Sequence, residues 1–221
     1  MSVEPTAIGL LALFIGSSVR LAMPMMFGAI GELVSERAGV LNLSVEGMML
    51  FGAFSAAMGS LATGSPIAGL AIAAVAVIPV ALLQAFLSNT LHANQIVSGI
   101  GINVLVLGGT TIAYRELLGH RSRVQIPGLD KWSPPLLGDI PVVGPAVFQQ
   151  SWLLYLAFAI VLAVALVMHY TSLGLAIHAA GAEPRALDKS GGSVMRIRYG
   201  AVVFTGMMSA LGGAFLSLGD I

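Results

Sequence analysis

The side chains able to do chemistry in this sequence are few, and most of them fall in three short stretches. Asn42 and Glu46 stand four residues apart, which on a helix puts both on one face at the mouth of a long uncharged run. Two readings of that pair stand side by side. An intramembrane carboxylate is a functional group by default; alternatively the stretch is a capped interfacial turn, with Asn42 or Ser44 as N-cap and Glu46 at the favourable end of the helix dipole. Asn94 and Asn103 bracket a second polar stretch that also holds Gln95 and Ser98. Amide side chains there can bind the hydroxyls or amides of a solute, or cross-link helices by hydrogen bonds. The third stretch contains Glu183, Arg185, Asp188 and Lys189. Glu183-Pro184 can open a helix there, and Gly191-Gly192 can close it. Arg185 and Lys189 then share an exposed face, while Ala182, Ala186 and Leu187 offer small apolar contacts. Such a segment is either a solvated turn or a docking helix for a soluble partner.

Other chemistry lacks its residues. A phosphate-cradling P-loop needs Gly-Lys-Ser/Thr after a glycine-rich turn, yet the only lysines, Lys131 and Lys189, both follow aspartate. There is no His-Glu-x-x-His and no Gly-x-Ser-x-Gly elbow, and His92, His120, His169 and His178 show no metal-ligand spacing. Cysteine is absent. The sequence therefore points to no catalytic residue, no metal site and no cofactor of its own.

The elements that must position these residues follow from the distribution of charge. Of 221 residues 57% are apolar and only 9% are charged, against about 25% in a soluble domain. A globule of this size needs a solvated polar surface, so a soluble enzyme, a disordered chain and a nucleic-acid binder are excluded or disfavoured. From Gly47 to Tyr114 there are 68 residues without Asp, Glu, Lys or Arg; 43 more run from Ile140 to Ala182, and 21 from Tyr199 to Gly219. A helix crosses a bilayer in about 20 apolar residues. The expected architecture is all-α and polytopic, with about six spans near 6–30, 40–62, 66–88, 95–114, 151–170 and 199–218, making a single transmembrane domain over 1–221. The runs are continuous, without the alternation of lipid-facing strands.

Within these spans a few residues carry further expectations. Trp152 and Tyr170 lie roughly 27 Å apart along a helix, like two interfacial belts. The opening segment lacks a basic start and an Ala-x-Ala site, so it does not read as a signal peptide. Arg20 either snorkels to an interface or faces a polar cavity, and Pro24 implies a broken helix beside it. Gly206, Ala210 and Ala214 form a small-residue seam for close packing. Six crossings place the proline-rich connection 115–150 and the connection 171–198 on opposite sides. The side with Arg37 and 171–198 holds five Lys and Arg, the other four, a margin too thin to orient the protein alone.

Three motifs in order then carry a resemblance. Glu36-Arg37-Ala38-Gly39-Val40-Leu41-Asn42-Leu43-Ser44-Val45-Glu46-Gly47-Met48-Met49 resembles the signature of ABC-importer permeases of bacteria in the branched-chain amino acid, ribose and nucleoside group, nucleoside-type members above all. Asn94 through Asn103 resembles that family's next polar motif. Thr171-Ser172-Leu173-Gly174, Gly181-Ala182-Glu183-Pro184 and Gly191 to Arg198 are similar to its coupling loop. That likeness, together with the slight basic excess, leads to the expectation that 171–198 is cytoplasmic and 115–150 outside. The resemblance implies the permease subunit of an importer in the bacterial plasma membrane, carrying a small polar solute such as a nucleoside, with simple sugars or branched-chain amino acids as the alternative. It implies a translocation path at Asn42, Glu46, Asn94 and Asn103, and ATPase coupling through Glu183, Arg185, Ala186, Asp188 and Lys189. The implied partners are a second permease subunit, an ABC ATPase subunit that uses the ATP, an extracytoplasmic solute-binding lipoprotein, the solute and the lipid bilayer, with no nucleic acid. Family members continue through further spans, whereas this chain stops two residues after Gly219. An incomplete bundle, or a truncated accessory protein without transport activity of its own, is the corresponding expectation.

Overall fold

The computed structural model describes residues 7–119, 125–129, 131–132 and 150–219. Arg121, Arg123, Asp130 and Asp139 of the proline-rich connection lie outside the described residues. The helices are α1 (Ala7–Arg37), α2 (Val45–Thr63), α3 (Pro66–Ala76), α4 (Ile78–Ala85), α5 (Gln95–Leu118), α6 (Trp152–Tyr170), α7 (Ser172–Ala182), α8 (Pro184–Lys189) and α9 (Val194–Leu218). Among the described residues six segments are long and apolar enough to cross a membrane: Phe14–Arg37, Val45–Thr63, Pro66–Thr90, Gln95–Leu118, Trp152–Tyr170 and Val194–Leu218. The protein is an all-α, multi-pass membrane protein. Its extended pairing among the described residues is one antiparallel two-residue match, β1 (Lys131–Trp132) with β2 (Gln150–Ser151).

Capping chemistry sets several of the helix starts. Ser65 accepts from the Ala68 N–H with Pro66 following at the first helical position, and Ser151, Thr171 and Ser193 cap α6, α7 and α9 in the same way. The third span is interrupted. Pro79 has no N–H to give the Val75 carbonyl, and the helix breaks at Val77 between α3 and α4. Beyond Ala85 it widens into a π turn, Phe86–Thr90, that carries the buried Ser88 and Asn89.

Helix α9 is the axis of the bundle. Two thirds of its span (67%) is buried inside the protein, against 22% for α5 and for α6, and its main partners are α1 and α2. The expected small-residue seam is the reason. Ala210 and Ala214 are fully buried, and a Cβ on Gly52 of α2 would collide with the Ala210 backbone. On the other side of the seam, Gly213 lies so close to the Met49 carbonyl that no side chain fits. Backbone contact of this kind gives dense dispersion contacts, the principal attraction between helices in lipid. The same seam corrects the reading of Pro24. Helix α1 runs unbroken through it, because Met23, Pro24 and Phe27 are buried against α9, with Gly212 facing the Pro24 carbonyl. Packing on both sides of the lost hydrogen bond keeps the helix continuous.

The connections sort into two ends. At one end Gly39 meets Gly181, Leu41 meets Gln95, Thr90 meets Tyr199, and Arg198 meets Ala38 and Ala180. At the other, Ser60 bonds the Pro127 carbonyl and Leu129 bonds the Leu218 carbonyl.

Candidate functional site

Residues 38–44 fold as a turn, and the helix that follows, α2, starts at Val45. Helix α1 ends at Arg37, and Gly39 takes φ +84°, the left-handed conformation a glycine adopts without a Cβ penalty. The Ser35 hydroxyl donates to the Val40 carbonyl at 2.8 Å, and the Val40 N–H donates to the Ser35 carbonyl at 3.0 Å. Asn42 follows, 1% exposed. Its N–H donates to Glu32 Oε1 at 2.8 Å, and its Oδ1 accepts from the Ser44 hydroxyl at 2.6 Å and the Ser44 N–H at 3.1 Å. This is an asparagine-centred turn. Asn42 therefore does not share a helical face with Glu46: it precedes α2 and is buried, whereas Glu46 lies exposed in the first turn of α2. Ser44 stands at the N-cap position without a side-chain cap, since its hydroxyl is committed to Asn42.

Asn94 and Asn103 bond protein backbone. Asn94 is exposed and caps α5, accepting from the N–H groups of Ile96 at 3.0 Å and Val97 at 3.3 Å. Asn103 Nδ2 donates to the Leu43 carbonyl at 2.9 Å, and its Oδ1 accepts from the Gly47 N–H at 2.8 Å. Gln95 Oε1 accepts from the Leu41 N–H at 2.9 Å. Three bonds thus sew α5 to the turn and to the first turn of α2. Of the four path candidates, Asn42 and Asn103 come together through this turn, while Asn94 and Glu46 stand outside it.

Residues that the sequence did not single out carry the open hydrogen-bonding capacity. Gln84 of α4 is fully buried, and neither its amide nitrogen nor its oxygen has a hydrogen-bond partner among the described residues. Asn89 Nδ2, in the π turn, and Glu32 Oε2 are also buried and unpaired. Glu32 bonds the Asn42 turn directly, and α4 packs beside it. Asn42 Nδ2 is 3.9 Å from Met48 Sδ, which with Ala81 of α4 lies beside Gly206 of α9. Ala85, adjacent to Gln84, packs with Val40 and Val202. An unpaired buried amide costs about 1–3 kcal/mol, so this seam of α1, the turn, α4 and α9 holds more donors and acceptors than its own packing uses. A lone Gln inside an apolar run has no spacing signature, and only the tertiary contacts expose it.

The charged connection forms two helices where one was expected. Thr171 caps α7, and α8 follows after Glu183, with Pro184 at its first position as anticipated. The 11 residues of α7 cannot cross a bilayer. Arg198 anchors it: Nε donates to the Ala38 carbonyl at 3.1 Å and Nη2 to the Ala180 carbonyl at 3.0 Å, joining the ends of α1 and α7 to α9. Glu183, Arg185, Ala186, Asp188 and Lys189 are exposed. Leu187 is not available to a partner, being buried against Gly192.

Comparison with known proteins adds a second line of findings. Residues 14–219 match the family described as the branched-chain amino acid transport system / permease component. A Haloferax volcanii protein bearing the name of a glucose ABC transporter permease is 35% identical, across 92% of this chain and 62% of that protein. The guanosine ABC transporter permease protein of Bacillus subtilis is 32% identical, over 92% of this chain and 66% of its own. The nucleoside ABC transporter permease protein of Lactococcus lactis is 30% identical, over 92% and 67%. The chain thus spans 62 to 67% of the length of these relatives. No solved structure matches it.

Proposed function

The chain belongs to the branched-chain amino acid transport system / permease component family, and from that premise we propose that it is the membrane-spanning subunit of an ATP-driven nucleoside importer. The observation that carries this reading is the family match across nearly all six spans. Two relatives named for guanosine and for nucleosides support the solute class. A simple sugar is the second reading, favoured by the 35% identical relative named for glucose. The subunit is no enzyme in this scheme. ATP is hydrolysed by a separate ABC ATPase, a second permease subunit completes the path, and a solute-binding lipoprotein delivers the solute at the outer face of the bacterial plasma membrane.

The chain's own residues divide the work. The polar seam supplies the path: Glu32, Asn42 and Gln84 hold donors and acceptors inside the bundle, as solute hydroxyls and ring nitrogens require. Asn103 sets the seam's geometry by fixing the turn to α5, and Asn94 does so by starting α5. Glu46 lies at its rim. The exposed face of α8, with Arg185, Ala186, Asp188 and Lys189, meets the ATPase, and Glu183 ends α7 beside it. Since α7 is tied to α1 and α9 through Arg198, a push on α8 reaches both helices that flank the seam. Uptake of labelled guanosine and of labelled glucose by cells carrying the intact transport operon tests the reading. Guanosine accumulation lost on deletion of this gene is the expected result. Loss of glucose uptake alone moves the assignment to sugars, and loss of neither overturns it.

A further inference from the structure

Helix α6 stands at the edge of the bundle, and a groove of about 380 Å³ runs between it and α1. The walls are Met26, Ala29, Ile30 and Leu33 of α1 facing Val161, Val164, Ala165 and Met168 of α6. At its end the lining changes character: Arg37 closes α1, His169 lies in the last turn of α6, and His178 comes from α7. Among the described residues no carboxylate lines it. From Met26 to Arg37 the groove covers roughly 16 Å along α1, about half of the ~30 Å hydrocarbon thickness. That length equals about one leaflet, and the lining is apolar along the groove and carries Arg37, His169 and His178 at its end.

We propose that this groove binds an anionic phospholipid, one acyl chain lying between α1 and α6 and its phosphate held by Arg37, His169 and His178. The depth suits a single acyl chain, which occupies one leaflet. The charge argues for an anionic lipid over a zwitterionic one. Arg37 brings a permanent guanidinium, and an imidazole of either protonation state has an N–H to donate to a phosphate oxygen. On the other flank of α6 a larger groove, about 530 Å³, has Arg196 as its one basic group among the described residues and serves as an internal comparison. The ligand also has a place in the mechanism: it would bridge α1, α6 and α7 at the end where the connection 171–198 lies. The inference stands on these contacts alone and does not depend on the solute.

The test uses the purified full chain in detergent with equimolar phosphatidylglycerol and phosphatidylcholine, and counts retained lipid by native mass spectrometry. Phosphatidylglycerol should be retained about tenfold over phosphatidylcholine, and Arg37→Gln should reduce that preference about fivefold, the effect of one basic charge at an anionic surface. Ala165→Phe fills the groove from an exposed position and should abolish retention, whereas Ala163→Phe in the neighbouring groove should leave it unchanged. Ala29→Phe, on the opposite wall and also exposed, repeats the block if Ala165→Phe lowers the melting midpoint. Glycerol phosphate and inorganic phosphate should not displace the lipid. Equal retention of both lipids, displacement by either small phosphate, or unchanged retention with the groove filled would each overturn the proposal. So would disulfide cross-linking of two copies through Ala165→Cys, which would make the groove a protein interface.

Discussion

Asn103 shows how one polar side chain can fix the register between two helices. Its amide both donates and accepts, to Leu43 and Gly47, so it matches the two backbone groups left open where the turn meets α2. Truncation strands both, and Asn103→Ala should destabilise the bundle by about 2 kcal/mol, read as a lower unfolding midpoint in detergent. Asn103→Asp keeps the acceptor and loses the donor, and should fall between the two. Gln84 carries the opposite balance. It is buried with nothing to bond, so Gln84→Met, which preserves length and removes the unmet amide, should raise stability by about 1–2 kcal/mol. In the assembled transporter the same variant should lower uptake with no loss of complex, if the seam serves solute. Higher stability with normal uptake would remove Gln84 from the path. The difference in legibility between these two has a physical cause. Asn103 sits in a polar cluster at a span end, where its type and spacing are visible, and helix cross-linking was one of its two readings. Gln84 owes its meaning to being far from any partner in space, which no linear pattern records.

The elements were legible where a single physical rule dominates. Long uncharged runs locate the spans, Trp152 begins α6, Pro184 begins α8, and Gly206, Ala210 and Ala214 mark the face of α9 that packs. Rules in competition were harder to read. Pro24 predicts a break, and the packing of Met23 and Phe27 against α9 overrides it, whereas Pro79, after the buried Val77, does interrupt its span. Helix α7 was hidden because its 11 uncharged residues continue the apolar run of α6; only the Thr171 cap divides them. That division matters for coupling. The guanidinium of Arg198 bonds two carbonyls from different elements, and hydrogen bonds to a charged group contribute about 1.5–3 kcal/mol. Arg198→Met should therefore release α7, seen as faster amide exchange over 174–182, with α2 and α3 unaffected. Arg198→Lys, a point charge without the planar fork, should restore one bond at most. On α8 the buried Leu187 holds the helix in place and Ala186 presents its outer surface. Ala186→Trp should abolish solute-stimulated ATP hydrolysis in the full complex while insertion stays normal, and charge reversal at Arg185 or Lys189 should have a modest effect. Stimulation unchanged in Ala186→Trp would take α8 out of the coupling role.

At the scale of the whole molecule, the two ends of the bundle differ in a way that bears on orientation. One end gathers the 38–44 turn, the π turn, the start of α5 and the pair α7–α8, all knitted by cross-helix hydrogen bonds. The other end has the sharp Gly64-Ser65 turn and the residues around Pro127 and Leu129. The basic margin between the ends is five against four, too small to orient a membrane protein by the positive-inside rule, so the stronger argument is mechanical. In the proposed importer, a cytoplasmic ATPase would move the bundle through elements outside the bilayer that are tied into it, and α7–α8, too short to cross and tied by Arg198, is the proposed candidate. The proposed phospholipid, at the same end, would add a second tie. The orientation that follows has the N-terminus outside and Ser190 in the cytoplasm, with Ser65 facing out. The absence of native cysteine makes single-cysteine labelling clean. Ser65→Cys should react with an impermeant maleimide in intact cells, and Ser190→Cys, at an exposed site after α8, only after permeabilisation. The reverse pattern would put α7–α8 on the wrong side of the membrane for an ATPase, and the coupling assignment of Arg185, Ala186, Asp188 and Lys189 would fall with it.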